Sequence, residues 1–130
     1  MNSQESQQEE TRKHRENCSR ILAISSKIRY VGIMNKFGRT MAGQLRKDMI
    51  PLFKPEEARN ENFIEATRFQ LRKSFEESIG KTEYSLTENE KVKILTIPLE
   101  SNFYYITLDK NTESQEFTQI VKSIKKLIRQ

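Results

Sequence analysis

Cysteine is nearly missing from this 130-residue chain: Cys18 is the only one. One thiol excludes an internal disulfide and any multi-cysteine zinc site, and it fits a reducing, cytoplasmic setting. Histidine is equally scarce. His14 stands alone near the N-terminus, and hydrolytic triads and histidine metal sites both need orienting partners. The only aspartates, Asp48 and Asp109, fall in expected loops, and nothing in the spacing brings them to His14. Long apolar runs are also absent. No stretch approaches the roughly 18 residues that a membrane span requires. The opening MNSQESQQEETRKHREN has no apolar signal region, so neither a membrane nor secretion is expected, and the Asn17-Cys18-Ser19 sequon is read as chance.

What is present describes a polar chain of single-domain size. Hydrophobic residues make up 35% and charged residues 32%, a balance that suits a small domain with much surface. The net charge of +5 is uneven. Residues 30–54 are basic and residues 55–80 are acidic. Lys36, Arg39, Arg46 and Lys47 could meet phosphates, and Tyr104 and Tyr105 could be imagined as stacking residues. Strand alternation sends those two tyrosines to opposite faces, however, and the basic groups lie elsewhere in the chain. A solvated face is the favoured reading, and nucleic acid is set aside as a partner.

Periodicity supplies the elements. Residues 1–9 read as a frayed polar tail, and residues 10–130 as one domain. From Glu10 to Lys27 the spacing is helical, with Cys18, Ile21, Leu22, Ser25 and Ile28 on one face. Arg29–Asn35 then alternates, Val31 and Ile33 pointing one way and Tyr30, Gly32 and Met34 the other. Asn35 suits the start of a type I turn and Gly38 the left-handed residue after it, so Arg39–Leu45 returns as a second strand. Pro55 suits the first turn of a middle helix that ends at Gly80. Its apolar face comprises Ile64, Thr67, Leu71, Phe75, Ser78 and Ile79. Three strands follow: Thr82–Leu86, Lys91–Leu99, in which Pro98 marks a strand end or a bulge, and the run FYYITL. Thr112 and Gln115 read as a capping box for a last helix. That helix carries the stripe Phe117, Ile120, Val121, Ile124, Leu127 and Ile128. The fold class is α+β: a five-stranded, mainly antiparallel sheet with helices on both faces, in the order α-β-β-α-β-β-β-α.

No motif points to catalysis, and no cofactor or metal is called for. Gly80-Lys81-Thr82 ends like a P-loop, but Phe75 occupies the place of the required glycine, and a helix precedes the triplet where a strand should. Gly32, Gly38 and Gly43 form no GxGxxG array. Gly38 is explained by the turn, while Gly32 and Gly43 let a helix approach the sheet closely or mark a bulge. Cys18 falls on an apolar face, as a small buried residue. The glutamates lie mostly on expected solvent faces.

The element order, together with the hairpin VGIMNKFGRTMAG, resembles the roadblock (dynein-light-chain) domain, a relative of profilin-like folds. The likeness covers Glu10 to Gln130. The chain also resembles a group of small archaeal proteins from the ammonia-oxidising lineage, a group that brings no function with it. The roadblock resemblance implies a non-catalytic dimeric platform that binds small GTPases or scaffold proteins. It also implies dimerisation through the middle helix and the strand after it. A PAS-type small-ligand sensor shares the strand order and is the alternative reading, and a weak nucleic-acid-binding module is the second.

Phe69 breaks the pattern of the middle helix. At about 100° per residue it falls opposite the apolar face centred near Leu71, beside Asn62, Glu65, Arg72, Lys73 and Glu76. An antiparallel pairing of two copies about Phe69 would set Glu65 against Lys73 twice. These six residues are therefore the expected homodimer interface, and the expected function is a homodimeric interaction module.

Overall fold

Asn35 and Gly38 make the turn that starts the sheet. Asn35 Oδ1 accepts hydrogen bonds from the backbone N–H groups of Phe37 and Arg39, and Gly38 takes a φ of 88°. Strands β1 (Ile28–Asn35) and β2 (Thr40–Leu45) leave this turn as an antiparallel hairpin, with a register shift after Ile33. The structure is a computed structural model and describes Asn2–Arg129; Met1 and Gln130, the ends of the two expected segments, lie outside the described residues.

The sheet is completed by β3 (Ser85–Glu88), β4 (Val92–Pro98) and β5 (Asn102–Asp109). Its order is β2-β1-β5-β4-β3, and every neighbouring pair is antiparallel. Pro98 ends β4, where its missing N–H costs no ladder bond. Strand β3 starts and ends later than the expected Thr82–Leu86, because Thr87 and Glu88 pair with Ile94 and Lys93.

Helices cover both faces. On one side, α1 (Ser3–Leu22) and α4 (Ser114–Ile128) enclose the larger core, built on Cys18, Ile21, Val31, Ile33, Tyr104, Ile106, Ile120 and Ile124. The apolar stripe expected for α4 is the one that packs. Helix α1 begins well before Glu10, because Asn2 and Glu5 form a capping box that starts it; the stretch read as a frayed tail continues this helix as an exposed extension. At the other end, α4 is capped differently from expectation. Its N-cap is Glu113, and the Thr112 hydroxyl is buried and donates to the Asp109 carbonyl at 2.7 Å.

On the opposite side, α2 (Pro55–Arg72) crosses the sheet, with Pro55 in its first turn. A 3-10 turn at Lys73–Phe75 and the short α3 (Glu76–Ile79) prolong it to Gly80. The core beneath α2 is smaller: Met34, Ala66, Phe69, Val92, Ile94, Phe103 and Tyr105. Gly38 lets the hairpin turn reach this helix, since a Cβ there would lie 2.7 Å from the Asn62 carbonyl oxygen. Gly32 and Gly43 pair across β1 and β2 and form a flat floor under the Tyr30 ring. A Cβ on Gly32 would sit 2.6 Å from Tyr30 Oη, and one on Gly43 would meet the same atom. The close approach expected at these glycines is therefore made by a tyrosine and not by a helix.

Candidate interaction surface

Helix α2 carries two stripes at helical spacing, and the sheet receives the less apolar one. Ala58, Asn62, Glu65, Ala66 and Phe69 recur every three or four residues and turn inward. Phe69 is only 7% exposed, and its ring centroid lies 5.3 Å from that of Phe103. The alanines allow close approach, and hydrogen bonds satisfy much of the polar remainder. Asn62 Nδ2 donates to Thr40 Oγ1 at 3.4 Å, and Tyr105 Oη donates to Glu61 at 2.7 Å. Burial and the Glu61 carboxylate both push the Tyr105 phenol well above its ordinary value.

The other stripe faces outward. Ile64 is 58% exposed, Leu71 66% and Ile79 69%, with Phe63 and Phe75 exposed beside them. These apolar side chains run along α2 and α3 as one ridge, larger than the scattered single exposures that ordinary surfaces show. The same helix reaches β3, the outermost strand, whose second edge has no strand neighbour among the described residues. Arg68 links the two elements, its guanidinium donating to Ser85 Oγ at 2.9 Å.

This arrangement corrects the reading of the middle helix. The face expected to pack on the sheet is the exposed one, and Phe69, expected to stand out in solvent, is a core residue. Asn62, Glu65 and Phe69 therefore cannot form a free dimer surface. Arg72, Lys73 and Glu76 stay accessible, but they line a cleft of about 370 Å³ between the end of α2 and the β4–β5 turn. The residues missed are Ile64, Leu71, Phe75 and Ile79, and the available signal was the presence of two competing stripes. An inward face rich in alanine, with one large aromatic, is sufficient to cover a small core.

The other singled-out residues take separate places in the fold. Cys18 is buried, and burial pushes its thiol up to about 11. His14 Nε2 lies 3.5 Å from Glu10, and no group of three or more His, Cys, Asp or Glu is placed to hold a metal among the described residues. Arg46 leaves the basic cluster, because its guanidinium donates to the carbonyls of Leu22, Ser25 and Ile28 at 2.6–2.8 Å. Tyr104 and Tyr105 point into opposite cores, as alternation requires. Gly80-Lys81-Thr82 follows a helix C-terminus and leads towards a strand, so its amides do not open a helix. Among the described residues, no helix is long and apolar enough to cross a membrane.

No family model matches the chain, and no curated protein matches it in sequence. Solved structures match its fold. MglB of Myxococcus xanthus gives a TM-score of 0.69 at 14% identity, over 92% of this chain and 87% of that one. An MglB with a tetrameric arrangement gives 0.67 at 10%, over 92% and 90%. A Roadblock/LC7 domain from Streptomyces avermitilis gives 0.59 at 10%, over 89% and 98%. At such identities the likeness concerns architecture alone: this chain has a roadblock-like α+β fold, the one seen in MglB and Roadblock/LC7 domains.

Proposed function

We propose that the chain is a non-catalytic interaction module that works as a homodimer and presents a shared platform to a protein partner. One observation carries this reading: the apolar ridge of α2 and α3 is exposed, on a helix that Arg68 ties to the edge strand β3. A second copy fits both features at once. Antiparallel crossing of two α2 helices about a point between Thr67 and Arg68 sets Ile64 of one copy against Leu71 of the other, twice. Each such side chain contributes about 1.5–3 kcal/mol on full burial. The β3 edges can pair across the same twofold axis, which also removes an edge that would otherwise invite uncontrolled pairing.

Support for self-association also comes from the tetrameric arrangement of an MglB of the same fold. By analogy with roadblock domains, the partner of the platform is a small GTPase, and that step rests on fold alone. Light scattering across concentrations, on wild type and Leu71→Glu, tests the dimer. The expected result is a wild-type dimer at tens of micromolar and a folded Leu71→Glu monomer. A monomeric wild type at that concentration would sink the proposal.

A further inference from the structure

Segments that are far apart in the chain enclose the cleft at the end of α2. The β1–β2 turn brings Lys36, the end of α2 and its 3-10 turn bring Arg72 and Lys73, and the chain after α3 brings Lys81. Pairing of Asn35 with Asn102 sets the β1–β2 turn beside the β4–β5 turn, which adds Leu99 and Glu100 to the lining.

These four cations are exposed, and none of them makes an ion pair among the described residues. The helix dipole accounts for Arg72 and Lys73, since positive charge suits a helix C-terminus. It does not account for Lys36 and Lys81, which lie outside that helix. Lys36 Nζ lies 5.3 Å from the centre of the Phe37 ring, and the Arg72 guanidinium 5.3 Å from that of Phe75. Such a contact places a cation but leaves its charge unneutralised. Glu76 and Glu100 line the same cleft, so four cations stand against two carboxylates and the lining is net positive.

Exposed apolar groups stand at the same end of the sheet. Phe37 is 72% exposed and Leu99 38%, and neither belongs to a core or to the α2 ridge. The aromatic rings inside the cleft differ from them. Phe69 and Phe103 are buried, so they offer no open face on which a base could stack. Closely spaced phosphates would also meet Glu76 and Glu100. The lining therefore suits carboxylates spread along a polypeptide, with an apolar side chain among them, better than a nucleic acid.

We propose that this cleft docks an acidic segment of a protein partner. Its carboxylates lie against Lys36, Arg72, Lys73 and Lys81, and a large apolar side chain between them packs on Leu99 and Phe37. The inference rests on the platform reading for the existence of a protein partner, and it gives that partner a chemistry. It does not use the α2 ridge, because one copy supplies the whole lining.

The test is a titration of the whole ¹⁵N-labelled protein with the peptide acetyl-EELDFEE-amide. Three probes accompany it: the charge-reversed acetyl-KKLNFKK-amide, the anchor-free acetyl-EESDSEE-amide and a thymidine decanucleotide. The acidic peptide is expected to shift the amides of Lys36, Lys73, Lys81 and Leu99 saturably, with a Kd of about 1 mM or tighter at low salt. The double variant Lys36→Glu/Lys81→Glu should weaken binding about tenfold, since it turns two attractions into repulsions. Lys122→Glu/Lys126→Glu makes the same change of charge at exposed positions of α4, on the other side of the sheet, and should leave affinity within about twofold. All four lysines are exposed, so these variants probe contact and not folding.

Absence of saturable shifts with the acidic peptide would overturn the proposal. So would tighter binding of the decanucleotide, equal binding of either control peptide, or an equal loss in the α4 variant. Repeating the titration on Leu71→Glu separates this inference from the dimer. Binding by that monomer supports the cleft whatever light scattering says of self-association, and loss of binding there would overturn a site held within one copy.

Discussion

Glu65 lies on the sheet-facing side of α2, where burial raises its carboxyl above the ordinary value against the opposing pull of Arg68. Its Oε2 has no hydrogen-bond partner, and Arg68 approaches only to 3.8 Å. The sign of the consequence is fixed. A carboxyl with a raised native pKa contributes its full stability below the unfolded value, about 4.3, and that contribution is lost as pH rises through the native value. At neutral pH the ionised Glu65 therefore costs stability. Glu65→Gln is expected to raise the melting temperature at pH 7 and to leave it nearly unchanged below about pH 4, where both forms are neutral. Thermal melts at the two pH values check this, and a lower melting temperature at pH 7 would show that the Arg68 contact outweighs burial.

At the scale of the element, α2 divides its side chains between two kinds of surface. Phe69 and Leu71 are two residues apart, yet one packs on Phe103 and the other faces solvent. Truncating them should separate the roles. Phe69→Ala removes a buried ring and is expected to cost about 3–5 kcal/mol of fold stability. Leu71→Ala, measured in the monomer, should stay within about 0.5 kcal/mol of wild type. Urea unfolding at low protein concentration makes the comparison. Equal losses at the two positions would mean that the α2 orientation is wrong. The core beneath α2 is the smaller of the two, so this helix has the most to gain from a second layer over its outer ridge.

The whole molecule then has two unequal sides. The α1–α4 side holds the larger core and is closed by helices. The α2 side holds a smaller core, an exposed apolar ridge, an open strand edge and the cationic cleft beside Lys73. The proposed dimer would draw part of its stability from association, and mass action would make that part visible. The melting temperature should rise with protein concentration in wild type, and it should be flat in Leu71→Glu. Calorimetry over a hundredfold range of concentration decides the point; a wild-type value independent of concentration would leave the dimer without thermodynamic support.

Local chemistry carried much of this architecture into the sequence. The hairpin is readable because Asn35 and Gly38 satisfy one turn within five residues, and β1 is readable because Val31 and Ile33 alternate with Tyr30 and Met34. The stripe on α4 is readable because all its apolar residues lie on one side. The boundary of α1 was misplaced, since a capping box formed by Asn2 and Glu5 is a short signal inside a polar stretch. Only the tertiary structure decided which stripe of α2 meets the sheet. Helical period defines faces but not their neighbours, and the choice depends on how Ala58, Ala66 and Phe69 fit a surface assembled from residues far away in the chain. The same holds for Lys36, Lys73 and Lys81, which a strand pairing and the turn after α2 bring to one cleft. Periodicity is a property of a segment, whereas a surface, an interface or a pocket belongs to segments that the sequence holds apart.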